Sequence, residues 1–302
     1  MKFQGVLFFP VTPFAADGSL DEERLGRHIE AGVSAGAGGV FVACGTGEFH
    51  ALTSDELERA TRVAVEVTAG RAPVLAAAGG PPPVARDQAE RVARAGADGI
   101  LLLPPYLVTA PQQGLVRYVE EVTAATELPV IFYQRGTARL TEETAAEIAS
   151  LPKVVGLKDG LGDIERMHRI VRAVRALPGG ADFRFFNGLP TAEMTAPAYQ
   201  GIGVDLYSSA VFAFAPEIAL AFHGALADGD DTLVTTLLDE FYAPLVELRD
   251  EVPGYAVALV KAGVTLRGLD VGGVRAPLVD PTPEHVARLS KLIDHGLELV
   301  RS

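Results

Sequence analysis

The sequence is poor in features that mark several large classes of protein. Its 302 residues include one cysteine, Cys44, which excludes an internal disulfide framework and is compatible with a reducing cytoplasm. The short apolar stretch at the N-terminus is interrupted by Pro10 and Pro13, and it resembles neither a signal peptide nor a membrane span. We therefore expect a cytoplasmic protein that has no membrane as a partner.

Positive charge is also scarce, because 26 Lys and Arg residues stand against 39 Asp and Glu residues, a net charge of −13. Without a basic cluster, nucleic acid is not an expected partner. An anionic small molecule is compatible with this charge, because a pocket can be positive locally. The six histidines show no His-x-His or His-x-x-x-His spacing, so we expect no metal site.

Short apolar runs alternate with stretches of helical periodicity along most of the chain. Their starts are spaced by roughly 20 to 35 residues, the length of a strand followed by a helix. Eight such units predict a closed α/β barrel, the (β/α)8 or TIM barrel, with an open doubly wound sheet as the alternative. The runs are Val6–Phe9, Val40–Ala43, Val74–Ala77, Ile100–Leu103, Val130–Tyr133, Val154–Lys158, Phe183–Phe186 and Val204–Tyr207.

Helix starts and a change of pattern near the C-terminus complete the predicted organisation. Ser19 with Glu22, and Thr53 with Glu56, each fit a capping box that opens a helix. We predict a barrel over residues 1–229 and a helical extension, packed on it, over residues 230–302. A partner-binding module is the alternative interpretation of the extension. Its predicted helices carry Leu233 to Leu248, span Tyr255 to Leu266, and start at Pro283.

Chemically active residues follow the predicted strands, where a barrel of this kind forms its active site. Lys158 closes the apolar run VVGLKDG. If it is desolvated, its pKa is lowered and it becomes a candidate nucleophile; a solvated or ion-paired lysine is the alternative. Gly45, Thr46 and Gly47 offer backbone N–H groups to a carboxylate, unless they form an ordinary turn. The other candidate residues at strand ends are Tyr106, Tyr133, Arg135, Asn187, Gly188, Ser208 and Ser209.

These stretches resemble a known family along essentially the whole chain. FPVTPF, CGTGEFHALTSDE, LLLPPY, VIFYQRG, VGLKDG, NGLPTAE and GYAVALVKAG are similar to the Schiff-base class I aldolase group that includes dihydrodipicolinate synthase and N-acetylneuraminate lyase. The resemblance implies that Lys158 forms the Schiff base and that Tyr133 relays protons. It implies that Thr46 and Gly47 bind the carboxylate next to the reacting ketone. It also implies a homo-oligomer, a tetramer, in which Tyr106 reaches a neighbouring subunit's site.

Within that group, Arg135, GLPTAE, the doubled serine and VRAPL resemble the subgroup of decarboxylating dehydratases. These enzymes act on a six-carbon sugar diacid with a ketone at C5, and need neither metal nor organic cofactor. The Asn-x-Pro that follows the tyrosine in the lyase and the synthase is replaced by Gln-Arg-Gly, which argues against their substrates.

A diacid needs a second anion site, and Arg135 follows Tyr133 by two residues, so both side chains point the same way if the strand continues. We therefore expect Arg135 to orient the second carboxylate at the far end of the pocket, opposite the cradle at Thr46 and Gly47. Ser208 or Ser209 is a further donor to that carboxylate. An aldolase of 2-oxo-3-deoxy sugar acids, or a barrel that binds a sugar acid without turnover, are the alternatives.

Overall fold

A closed barrel of eight parallel strands forms the centre of the computed structural model, which describes residue 3 and residues 5–301. The strands follow one another around the barrel in chain order. Each overlaps one of the eight predicted apolar runs, so the TIM-barrel prediction is confirmed and the open sheet is excluded. The strands are β1 Leu7–Phe8, β2 Gly39–Val42, β3 Val74–Ala78, β4 Gly99–Leu102, β5 Val130–Gln134, β6 Val154–Asp159, β7 Arg184–Asn187 and β8 Leu206–Ser209.

Helices lie between the strands and cover the outside of the barrel. None of the helices in the described part of the chain is long and apolar enough to cross a membrane. The helices of the barrel are α1 Glu22–Ser34, α2 Ser54–Thr68, α3 Pro82–Arg94, α4 Gln112–Ala124, α5 Glu142–Ala149, α6 Ile164–Arg175, α7 Ala196–Gly201 and α8 Pro216–Asp228.

One of the two predicted capping boxes is present. The Thr53 side chain accepts a hydrogen bond from the backbone N–H of Glu56, and the Glu56 carboxylate accepts one from the backbone N–H of Thr53. Helix α1 instead begins after Asp21, whose carboxylate accepts from the backbone N–H of Arg24. The prediction of Ser19 as a cap was wrong, because its hydroxyl donates to Asp17 in the preceding turn.

Aromatic rings fill the interior of the barrel and form the floor of the site above them. Phe9 and Phe41 stack with their ring centroids 4.6 Å apart. Phe186 meets Phe41 edge to face at 6.4 Å. Rings packed in this way leave the barrel interior closed, so that a ligand can enter only at the carboxyl ends of the strands.

The C-terminal part of the chain is helical and packs over the mouth of the barrel. In helix α11 a side chain on Gly263 would lie 2.6 Å from the Phe214 ring, so only glycine permits this close approach. The backbone N–H of Phe14 donates to Val271 in the following loop at 3.1 Å. The division of the chain at residues 229 and 230 stays a prediction. The helices are α9 Asp231–Leu237, followed by a π-helical turn Leu238–Tyr242, α10 Ala243–Asp250, α11 Tyr255–Leu266 and α12 Pro283–Leu299.

Candidate active site

Lys158 lies at the centre of the site, near the carboxyl end of β6. It pairs with Tyr133 on β5 and with Phe186 on β7, so paired side chains share the interior face of the barrel. The ammonium nitrogen is 4.2 Å from the ring centroid of Phe9 and 4.6 Å from that of Tyr133. Within residues 5–301 it has no hydrogen-bond or ion-pair partner. Burial lowers the pKa of Lys158 to about 7, and the nearby Arg135 guanidinium adds to that effect.

Tyr133 stands beside the lysine, and two glycines make that closeness possible. Its phenol donates a hydrogen bond of 2.7 Å to the backbone oxygen of Gly188. A Cβ on Gly188 would lie 2.6 Å from Cε of Lys158, and a Cβ on Gly160 would lie 2.8 Å from the phenol oxygen. Burial raises the pKa of Tyr133 to about 12, although the positive charge of Arg135 opposes this shift. The tyrosine is therefore a protonated phenol at neutral pH.

The loop that follows β2 presents free backbone donors. Among the described residues, the N–H groups of Thr46 and Gly47 have no acceptor. A side chain on Gly47 would lie 2.9 Å from Cα of Ala43, so the tightness of the turn requires glycine there. The Thr12 hydroxyl donates to the Gly47 oxygen at 2.6 Å and fixes the turn from below. Free N–H groups held in this way suit a carboxylate, and the binding of a carboxylate at Thr46 and Gly47 stays a prediction.

A buried ion pair holds the cradle loop from the side of the helical extension. Glu48 is fully buried, has a left-handed backbone with φ of 57°, and accepts from the Lys261 ammonium at 2.9 Å. Its second oxygen accepts from the backbone N–H of Arg275 at 2.8 Å, while Lys261 also donates to Gly273 at 2.6 Å. Lys261 thus has a carboxylate and a carbonyl as partners, unlike Lys158. We infer that the ion pair positions the cradle.

Lys261→Met is expected to lower the free energy of unfolding by about 3–5 kcal/mol, because it leaves the buried Glu48 carboxylate without its counter-charge. Urea unfolding followed by circular dichroism measures this change. Lys291→Met, on the exposed surface of α12, is the matched control and should change stability by less than about 0.5 kcal/mol. If the two variants were equally stable, the ion pair would not hold the loop.

Lys158, Tyr133 and Thr46 line a cavity of about 410 Å³ at the carboxyl ends of the strands. Its wall contains the basic side chains of Lys158, Arg135, Arg249 and His50. No Asp or Glu of the described residues lines it. Since the whole chain carries a net charge of −13, this concentration of positive charge is local to the cavity. Such a cavity favours an anionic ligand.

The structure brings most, but not all, of the predicted site residues to this cavity. Asn187 is buried behind it, where its amide donates to Ala192 at 3.0 Å and to Thr195 at 2.8 Å. Ser209 points to the other face of β8 from Ser208, because side chains alternate along a strand. Gly47 supports the turn from behind. The predicted residues that line the cavity are Gly45, Thr46, Tyr106, Tyr133, Arg135, Lys158, Gly188 and Ser208.

Ser209 instead binds a buried acid. Its hydroxyl donates to Glu193 at 2.5 Å and accepts from the backbone N–H of Phe212 at 3.1 Å. Burial raises the pKa of Glu193 to about 7. Ser209 therefore anchors the end of β8, from which Ser208 reaches the cavity.

Arg135 lies in a different place from the one expected. Strand β5 ends at Gln134, and the chain turns at Gly136, where φ is 61°. The alternation of the strand therefore does not extend to Arg135. Its guanidinium carbon is 6.0 Å from the ring centroid of Tyr133, and Nη1 is 3.7 Å from where a Cβ on Gly45 would stand. The guanidinium thus lies beside the cradle loop and not opposite it.

Sequence reasoning missed several residues of the cavity wall. Phe9, whose ring contacts the lysine ammonium, follows β1, and the FPVTPF stretch was a signal that could have found it. Thr191 lies in the GLPTAE stretch that follows β7. Arg249 comes from α10, which has no strand end or motif to mark it, so no local signal could have placed it there.

Comparison with known proteins agrees with this arrangement. The chain is 58% identical over 296 residues to a Streptomyces coelicolor protein named "Probable 5-dehydro-4-deoxyglucarate dehydratase 1", covering 98% of this chain and 94% of that protein. Dihydrodipicolinate synthase from Oceanobacillus iheyensis superimposes with a TM-score of 0.89 at 26% identity, covering 98% of this chain and 97% of the other.

A prophage protein of the dihydrodipicolinic acid synthase family from E. coli K12, solved in complex with pyruvate, gives a TM-score of 0.85 at 26% identity, covering 98% of this chain and 99% of the other. The Dihydrodipicolinate synthetase family itself matches residues 2–296. With the barrel, the desolvated lysine and a match over nearly its whole length, the chain belongs to the dihydrodipicolinate synthetase family.

Proposed function

We propose that the protein is a decarboxylating dehydratase that converts 5-dehydro-4-deoxy-D-glucarate to 2,5-dioxopentanoate, water and CO2 through a Schiff base on Lys158. The observation that carries this proposal is a desolvated lysine in a cavity whose charged wall is basic only. A dianionic keto acid fits both features. The name of the Streptomyces coelicolor relative, which is 58% identical, supports the same substrate and reaction.

The first step uses the opposite pKa shifts of the two central side chains. With its pKa lowered to about 7, Lys158 supplies a neutral amine that adds to the C5 ketone. Tyr133, protonated because its pKa is raised to about 12, gives its proton to the departing hydroxide. Water leaves, and an iminium and a phenolate remain. The iminium and Arg135 both stabilise that phenolate by their positive charge.

The phenolate then acts as the base for the dehydration. It takes a C4 proton, which the adjacent iminium makes acidic, and an enamine forms. The enamine expels the C3 hydroxyl, which leaves as water with the proton that Tyr133 returns. The double bond so formed is conjugated to the iminium and accepts the electrons released when C1 leaves as CO2. The resulting dienamine takes a proton from solvent at C4, and the enol at C2 and C3 tautomerises to the aldehyde. Hydrolysis of the iminium then frees the lysine and returns a proton to Tyr133.

Arg135 and the cradle are proposed to bind the carboxylate at C6, next to the reacting ketone. The free N–H groups of Thr46 and Gly47 provide two donors, and the Arg135 guanidinium beside Gly45 provides positive charge. The same positive charge lowers the pKa of Lys158. Arg135 thereby contributes to binding and to the supply of free amine.

Arg135→Ala is expected to raise KM about 10-fold for 2-oxo acids with one or with two carboxylates alike, because both carry the carboxylate at the cradle. The pH at which the rate is half-maximal should also move upward, since the pKa of Lys158 rises. Steady-state kinetics between pH 6 and pH 9 measure both effects. Arg139→Ala, an exposed arginine outside the cavity, is the control. A rise in KM for diacids alone would indicate instead that Arg135 binds the second carboxylate, at the far end of the pocket.

A product assay tests the reaction as a whole. The purified protein is given 5-dehydro-4-deoxyglucarate, and the release of CO2 and the formation of the aldehyde are measured. Release of pyruvate from 2-oxo-3-deoxygluconate would favour an aldolase instead. Tight binding without any product would favour the barrel that binds a sugar acid and does not turn it over.

The assembly proposed is a homo-oligomer, with a tetramer as the finer expectation. The loop after β4 exposes Tyr106 and Val108 by 50% each and Leu107 completely, an apolar surface at the rim of the cavity. A second copy of the chain would cover it. Light scattering after size exclusion measures the mass, and a monomer of 31.8 kDa would contradict the proposal. The cytoplasmic location and the absence of a cofactor stay predictions.

A further inference from the structure

Arg249 brings a second guanidinium to the cavity, on the side of β7. Its Nη1 donates to the backbone oxygen of Pro190 and to the hydroxyl oxygen of Thr191, both at 3.0 Å. Nε and Nη2 donate to the two oxygens of Asp250 at 2.8 and 3.1 Å. The side chain of Arg249 is 18% exposed and that of Asp250 is 61% exposed. Four donors therefore fix the guanidinium in one orientation, against the loop that follows β7.

Two donors remain at this corner of the cavity. A guanidinium has five N–H groups, so one on Nη2 has no partner among the described residues. The Thr191 hydroxyl accepts from Arg249 but has no acceptor within residues 5–301 for its own hydrogen. Both side chains line the cavity. Two adjacent donors, one of them charged, suit the two oxygens of a carboxylate.

The backbone of Thr191 has an unfavourable conformation that the surrounding contacts must stabilise. Thr191 has φ of 52° and ψ of 62°, the left-handed region that β-branched residues rarely adopt. Such a conformation persists only where its surroundings fix it, and such residues concentrate at functional sites. The bonds from Arg249 to Pro190 and Thr191 are part of those surroundings.

The two arginines lie on different sides of the cavity, so each can bind a different carboxylate of a diacid. Arg135 lies beside Gly45, next to the cradle on the β2 side. Arg249 lies at the loop after β7, three strands away around a barrel in which four is the greatest separation. A substrate whose C6 carboxylate occupies the cradle directs its other end past Lys158. Of the two arginines in the described cavity wall, Arg249 is the one in position to bind the second carboxylate.

We propose that Arg249, together with the Thr191 hydroxyl, binds the second carboxylate of the substrate and so determines the preference for diacids. This inference rests on the proposed function for the identity of the diacid. It assigns the binding of the second carboxylate to Arg249 and not to Arg135, which the sequence had led us to expect. Asp250, on the outer edge of the guanidinium, keeps Arg249 oriented without occupying the two remaining donors.

The experiment compares two probes of equal chain length, 2-oxoadipate and 2-oxohexanoate, which differ in the second carboxylate. Borohydride traps the imine that each forms with the protein, and the half-saturating concentration is measured by mass spectrometry. The wild type should require about 10- to 100-fold less 2-oxoadipate than 2-oxohexanoate, the effect of hydrogen bonds to a charged group. Arg249→Gln should abolish this difference and leave the value for 2-oxohexanoate unchanged.

Three further variants sharpen the test. Thr191→Val should lose part of the preference, and Thr191→Ser, which keeps the hydroxyl, should retain it. Arg288→Gln removes the same charge from α12, outside the cavity, and should leave the preference as in the wild type.

Other outcomes would overturn the proposal. One is a wild type with equal half-saturating concentrations for the two acids, and another is an Arg249→Gln variant that still prefers 2-oxoadipate. A third is an Arg249→Gln variant in which both half-saturating concentrations rise equally, which would make the role of the arginine structural. Failure of the proposed function is read separately, as a wild type that releases no CO2 from 5-dehydro-4-deoxyglucarate.

Discussion

Lys158→Ala is expected to abolish turnover and to abolish covalent trapping of keto acids, because Lys158 is the lysine of the described residues that lines the cavity. Lys261 is bound to Glu48. Lys153 precedes β6, at the end away from the cavity, and donates to Thr126 and Glu127. Neither reaches the cavity wall. The nucleophile therefore has no substitute among the lysines of residues 5–301, and the whole acceleration that depends on the imine is lost.

Mass spectrometry after borohydride reduction with substrate identifies the modified residue. The peptide that contains Lys158 should carry the added mass in the wild type, and no peptide should carry it in the variant. Modification of Lys153 or Lys261 would contradict the assignment. Lys158→Met serves as the matched control for folding, since it keeps the volume of the chain and removes only the amine.

The same lysine links activity and stability to pH, in a direction that follows from its lowered pKa. Imine formation needs the free amine, so its rate should rise as the pH rises through about 7. The unfolded chain keeps the proton up to the ordinary value of 10.5. Between these two pH values the unfolded state binds more protons, and the native state becomes more stable as the pH rises. Lys158→Met should remove this dependence.

The fold could be predicted because its signals are local and repeated. A strand buried on both faces must be a short apolar run, and each of the eight runs overlaps a strand of the barrel. The helix Tyr255–Leu266 begins and ends where its pattern predicted. The cap of α1 was the exception, because Ser19 and Asp21 are both good capping residues and only the path of the chain decides between them.

Strand register could predict which side chains of the site meet, but it could not orient residues such as Arg135 that follow a strand. The pairing of Tyr133 with Lys158 follows from the register of β5 and β6. Arg135 stands one residue beyond β5, where the turn at Gly136 and not the pleat sets its direction. Arg249 comes from a helix far along the chain, and its place depends on how the extension packs. Tertiary packing of this kind leaves no periodic trace in a sequence.

Tyr133→Phe should lower the rate of turnover by roughly 10²- to 10⁴-fold, the range that a positioned acid–base group contributes. The phenol acts more than once in the proposed reaction. It gives a proton when water leaves the first adduct, takes one from C4, and returns it to the C3 hydroxyl. The variant keeps the ring against Lys158 and loses only the hydroxyl, so the imine should still form, but slowly.

Tyr118→Phe is the matched control for the loss of the hydroxyl itself. Tyr118 is also buried, and its phenol donates to the Leu103 oxygen at 2.9 Å, as that of Tyr133 donates to Gly188 at 2.7 Å. Each variant should lose about 1 kcal/mol of stability with this bond, since each leaves a carbonyl without its donor. Only the change at Tyr133 should slow the single-turnover rate. Both phenols donate to a backbone carbonyl, but of the two only Tyr133 contacts Lys158. Equal single-turnover rates in the two variants would therefore mean that another group transfers the protons.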